Sequence, residues 1–220
     1  MKVISAMWLR GRQNALDMLA DCRGIAATEF AVIVPIMLVM FFGTVEFSSG
    51  VAVNRKVTLV ARALSDLTAQ TPPPSLNSTS ATILDPDLQN VFTASISILA
   101  PYPPSPVQAT LSEIYVDSTG TSAKIVWSKS AVVSSDAATQ ATLATSPHTA
   151  GQDVTNLLPA NLLVAKTYLI FSEVSYLYKP TIGYVMAPSG VTLKDVAFTR
   201  PRQAYCVIYN NVPADPCPST

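Results

Sequence analysis

Few side chains in this 220-residue chain have the type and spacing that chemistry needs. The only histidine, His148, stands beside Pro147 in an Ala/Ser/Thr-rich stretch and reads as solvated, not as a base with an orienting partner. Asp85 and Asp87 flank Pro86, a pattern that fits an exposed turn better than a carboxylate pair. There is no H-E-x-x-H, no phosphate-binding glycine loop, no dinucleotide fingerprint and no Cys-x-x-Cys. The expectation is a protein that is not an enzyme and takes no cofactor, metal or small-molecule substrate. Cys206 and Cys217, with ten residues between them, have a spacing compatible with a metal or redox pair. A structural disulfide closing a small loop in an oxidising compartment is the favoured reading. Asn77-Ser78-Thr79 matches a glycosylation acceptor, a pattern too short to carry a role.

The remaining unusual group is Glu29, a carboxylate at the entrance of an apolar run. Phe30 to Val45 holds sixteen residues without a charge, and Ile25 to Phe47 gives twenty-three with glutamates only near its ends. About 20 apolar residues span a bilayer, so residues 25–47 are expected to cross once. Lys2, Arg10, Arg12 and Arg23 precede the run against Asp17 and Asp21, which keeps the N-terminus cytoplasmic and sends the remainder across. A secretory signal would have a shorter core and a small-x-small cleavage site. A lipoprotein signal would place Cys22 after the apolar run, not before it. An uncleaved anchor explains the run but leaves Glu29 and the polar leader without a purpose, beyond a carboxylate that snorkels to the headgroups.

Composition limits the rest. Net formal charge is zero, 13% of residues are charged and mean hydropathy is positive, with no basic block to displace counterions from nucleic acid. Beyond the apolar run, Val53, Val57, Val60, Ala61, Leu64 and Leu67 recur three or four apart, the apolar stripe of a helix that needs a covering surface. Arg62 and Asp66 are placed to pair at i, i+4. One helix from Ile25 to about Ala69 would be roughly 67 Å long, ending at the prolines of "TPPP". Pro35 removes one hydrogen bond within it, either as a kink or as a tolerated membrane proline.

Residues 71–220 read as an exported α+β domain. A short helix is expected from about Asp85, although "SISIL" alternates like a strand. "ATLSEIYVD" and "AKIVWSKS" flank a turn with Asp117, Ser118 and Gly120, a hairpin by β-branched and aromatic content. Ser130 to Ala150 reads as a surface loop. "TYLIFSEVSYLYKP" puts Ile170, Val174, Tyr176 and Tyr178 on one strand face, and "VTLKDVAFTRPRQAYCVIYN" adds a strand or two. Tyr168, Phe171, Tyr176, Tyr178 and Tyr184 are read as sheet packing, and Glu173 as a cross-strand partner of Arg200 or Arg202. The fold class is thus α+β: a long N-terminal transmembrane and amphipathic helix, then a small antiparallel sheet.

"RGIAATEF", Arg23 to Phe30, resembles the processing site of type IV prepilins and pseudopilins, cut after the glycine with glutamate fifth in the mature chain. More widely the sequence resembles the TadE group of tight-adherence pilus proteins: "GIAATEFAVIVPIMLVMFFGTVEF" is similar to its start, "NRKVTLVARALSDLTAQ" to its helix continuation, and "LIFSEVSYLYKPTIG" with "FTRPRQA" to its C-terminal half. The match is weakest from Thr71 to Gln152. The resemblance implies a pilin-like fold and a leader, 1–24, removed between Gly24 and Ile25 by a prepilin peptidase. It also implies a transmembrane segment 25–47, a helix continuation 48–70 in the periplasm, and work with other pilins and the Tad machinery at the bacterial inner membrane. By the same resemblance Cys206–Cys217 becomes a loop at a subunit surface, and Cys22 leaves with the leader. Cleavage would give Ile25 a free ammonium at the positive end of the helix. A neighbouring subunit shifted by about 6 Å would present its own Glu29 to that charge. Such a pair is worth about 4 kcal/mol at an effective dielectric near 20 before desolvation, against about 2.5–3.5 kcal/mol for an unpaired charge at mid-bilayer. The reading from another class is an uncleaved, single-pass periplasmic scaffold.

Overall fold

The computed structural model describes residues 24–180, 189–210 and 217. It resolves into two compact units, residues 1–47 and 48–220. Helix α1, Gly24–Ala69, contributes to both and continues through Pro35.

In the first unit the described part is helix alone. Its side chains from Phe30 to Phe47 are mostly exposed, as expected of an apolar surface whose solvent is lipid or other helices. It is the one helix among the described residues that is long and apolar enough to cross a membrane.

The second unit is built on a five-stranded antiparallel sheet in the order β4-β3-β2-β5-β6. Its strands are β2 (Val107–Val116), β3 (Ala123–Val132), β4 (Thr142–Ala144), β5 (Tyr168–Tyr178) and β6 (Val191–Thr199). A separate two-stranded parallel sheet joins β1 (Ser80–Ile83) to β7 (Cys206–Tyr209). Helix α2, Asp85–Ile96, starts with Pro86 in its first turn, where a missing N–H costs nothing. It runs into a 3-10 turn at Ser97–Leu99, so "SISIL" is helical and not a strand. Lys56 of α1 donates from Nζ to the carbonyls of Ile98 (3.0 Å) and Ala100 (2.6 Å), satisfying that helical end with a cation.

One face of the sheet packs on α1. Val53, Val57, Val60, Ala61 and Leu64 are buried with Leu111, Ile170 and Val174 of the sheet and with Leu88 and Phe92 of α2. Ser172 points into the same layer and donates from Oγ to the Ala61 carbonyl at 2.6 Å. Leu67 departs from the expected stripe and is 40% exposed. At 100° per residue Thr68, four beyond Leu64, falls on the centre of the buried face, and Leu67 lies about 100° away. Thr68 and Ala69 are accordingly the buried residues of that turn.

The opposite face is also covered. Ile114, Val116, Ile125, Leu169 and Phe171 form a second core with Val154 and Leu158 from the long connection between β4 and β5. Ser130 to Ala150 is therefore more than a surface loop. Its start belongs to β3, its middle forms β4, and Val133 and Ala141 are buried. The hairpin between β2 and β3 is closed by Asp117, whose carboxylate accepts from the Thr119 hydroxyl (2.6 Å) and the Thr121 and Ser122 amides (2.9 and 3.2 Å). Those bonds, led by Thr119, hold its pKa down at about 2. Gly120 supplies the positive φ of 73° that the turn requires.

Candidate functional site: the helix start and the anchoring of the C-terminal strand

Gly24 and Ile25 are the first described residues of α1, and Glu29 lies one turn above Ile25, a rise of about 6 Å. The Glu29 side chain is exposed and makes no hydrogen bond or ion pair among the described residues. Thr44 follows the habit of hydroxyls in membrane-type helices and donates back to the Met40 carbonyl at 2.8 Å. Residues 1–23, with Cys22 and the four leader cations, lie outside the described residues, as does Tyr184.

Cys206 and Cys217 are bridged, with Cα atoms 6.0 Å apart, within the ordinary disulfide range. The bridge sits on β7, and β7 is held by a device that sequence reasoning missed. β1 bonds one edge of β7, leaving the N–H and C=O of Val207 directed the other way. Two core side chains take them: the Val207 N–H donates to Glu113 Oε1 at 2.6 Å, and the Val207 carbonyl accepts from Trp127 Nε1 at 2.6 Å. Trp127 Nε1 also lies 3.1 Å from Glu113 Oε2. Glu113 is fully buried, and that burial pushes its pKa up to about 8 against the lowering effect of the Val207 and Trp127 bonds. It stands where the β2–β3 register shifts between Glu113 and Ile114, a bulge on β3 that leaves Trp127 in the first core and puts Ile125, two residues away, in the second. In "LSEIYV" nothing distinguishes a buried carboxyl from an outward-facing one in an alternating strand.

Two expected ion pairs are replaced by others. Asp66 bonds Arg202 Nη2 at 2.6 Å and Gln70 Nε2 at 2.8 Å, not Arg62, because the chain following β6 returns across the end of α1. The Arg202 amide donates to the Ala69 carbonyl there, capping the helix. Glu173 meets neither Arg200 nor Arg202. It bonds His148 Nε2 at 2.6 Å, and His148, expected to be solvated, is 14% exposed in its side chain. The His148 amide donates to Ser146 Oγ, which joins Ser128 and Ser112 in a run of hydroxyls at 2.5 and 2.6 Å. Tyr168, Phe171 and Tyr176 are buried and Tyr178 half-buried, so these rings pack within the sheet. Among the described residues no three His, Cys, Asp or Glu side chains gather as a metal site.

A family model described as TadE-like protein matches residues 24–65, which is the helix from its first described residue to just beyond the buried Leu64. No curated protein and no solved structure matches the chain.

Proposed function

Starting from a TadE-like segment over residues 24–65, which points to the Tad pilus system, we propose that the chain is a minor pilin or pseudopilin of a tight-adherence type IVb pilus. In this reading a prepilin peptidase cuts between Gly24 and Ile25, residues 25–47 hold the product in the inner membrane, and residues 48–220 face the periplasm. The helix then registers the subunit against other pilins, and the protein carries no catalytic activity of its own.

The observation that carries the reading is the position of Glu29. It is an exposed carboxylate one turn from Ile25, at the foot of sixteen uncharged residues. A charge at that depth is costly without a partner, and a newly exposed ammonium on an adjacent subunit is a partner that the cleavage itself would create. The cysteine bridge agrees with an oxidising destination for the second unit.

N-terminal sequencing and intact-mass measurement of the membrane-extracted chain test this. A mature terminus at Ile25 is expected. A chain that still begins at Met1 in cells making the pilus overturns the proposal in favour of a permanent anchor.

A further inference from the structure

A pocket of about 710 Å³ opens on the second unit where the loop after β6 passes the end of β2 and the start of β5. Among the described residues three lining side chains are cations, Lys166, Arg200 and Arg202, and no Asp or Glu lines the pocket. Arg202 is held by Asp66 through one nitrogen, which fixes its fork while leaving other donors. Lys166 and Arg200 are exposed and form no ion pair among the described residues. Lys166 occupies a left-handed backbone conformation, φ 58°, with its amide bonded to the carbonyls of Val116 and Asp117. A non-glycine residue pays for that conformation, and sites that bind ligand are where such cost is commonly kept.

Aromatic rings supply the remaining wall. Tyr115 and Tyr168 pack with centroids 4.9 Å apart, and Tyr205 stands at the rim, 69% exposed. The loop carrying Arg200, Arg202 and Tyr205 is fastened before any ligand arrives. The Arg202 amide bonds the Ala69 carbonyl and the Tyr205 amide bonds the Thr79 carbonyl, each at 2.8 Å. A preformed concavity of this size lies within the range that takes a small ligand. Guanidinium forks select planar carboxylates, and exposed tyrosine faces take the apolar face of a sugar ring.

We infer that this pocket binds a carboxylate-bearing saccharide, a short uronic-acid oligomer or a chemically similar acidic glycan. A saccharide fits better than an acidic peptide laid on as an added strand, because the Arg202 and Tyr205 amides that would receive the strand are already bonded. The hydroxyls of a sugar also find exposed amides at the rim in Asn77 and Gln203.

Isothermal titration of the full-length chain in detergent tests the inference, with trigalacturonate as probe, a neutral trisaccharide of equal size as control and hexaglutamate as the peptide arm. Saturable trigalacturonate binding is expected, with the neutral sugar at least about tenfold weaker and Arg200→Gln weakening the acidic sugar by about tenfold. Tyr205→Ala, an exposed position that leaves the core untouched, should weaken both sugars. Absence of saturable trigalacturonate binding, equal binding by Arg200→Gln, or tighter binding of hexaglutamate would each overturn it. None of these readouts depends on where the leader is cut.

Discussion

Glu113 and Trp127, paired across β2 and β3, close on one residue, Val207, and take both of its backbone groups. A carboxyl group and an indole thereby do what a third strand would have done for β7. Buried amides and carbonyls are almost always paired, and side chains meet that demand where a strand has no neighbour. The arrangement ties the strand that carries the disulfide into the centre of the domain.

The titration of Glu113 should be visible in stability. Its folded pKa is raised to about 8 by burial, so the folded state holds a proton that the unfolded chain releases above about pH 4.5. Its contribution is complete below that pH and is lost as pH rises toward 8, with a slope of at most about 1.4 kcal/mol per unit. Denaturant unfolding between pH 5 and 8 should show this fall, and Glu113→Gln should flatten it.

Glu29→Ala should leave membrane insertion intact and abolish or sharply reduce pilus assembly, measured by membrane fractionation alongside surface pilus yield. Wild-type pilus yield from Glu29→Ala would refute the role of the carboxylate in registering subunits.

Leu64 and Leu67 separate the buried stripe from its exposed neighbour. Leu64→Ala removes a fully buried side chain and is expected to cost about 2–5 kcal/mol. Leu67→Ala should cost less than about 1 kcal/mol unless another subunit covers it. A larger penalty that appears only in assembled material would identify Leu67 as a contact.

His148→Ala should loosen the connection between β3 and β5 by removing its bond to Glu173. A loss of about 1–2 kcal/mol is expected, with faster amide exchange over residues 142–150 than over β2.

Cys217→Ser removes the bridge while leaving the buried Cys206 in place. In the chain-entropy account the closed loop is worth about 3 kcal/mol at most, so a lower unfolding midpoint with unchanged secondary structure is expected by circular dichroism.

Local pattern made much of this fold readable. The stripe from Val53 to Leu64, the hairpin around Gly120 and the alternation of Ile170, Val174 and Tyr176 all follow from the periods of helix and strand. What escaped is long-range. β1 and β7 are four residues each, too short to show a period, and their pairing joins segments at opposite ends of the domain. Arg202–Asp66 and His148–Glu173 depend on where loops return, which the local spacing of Arg62 and Asp66 or the surroundings of His148 do not reveal. Glu113 escaped because a buried acid is recognised by its donors, one of them a main-chain amide 94 residues away. In the candidate site the carboxylate at position 29 was readable from charge in an apolar run, whereas the anchoring of the bridged strand was not.

The β1–β7 ladder also sets the order in which the domain can be completed. A ribosome delivers Ser80 well before Cys206, its partner 126 positions later, so the first strand waits for almost the whole polypeptide. A chain arrested before Val207 would strand the Glu113 carboxyl in apolar surroundings without its backbone donor. Truncated products are thus marked as incomplete by their own interior, and only a finished chain can bury that acid safely.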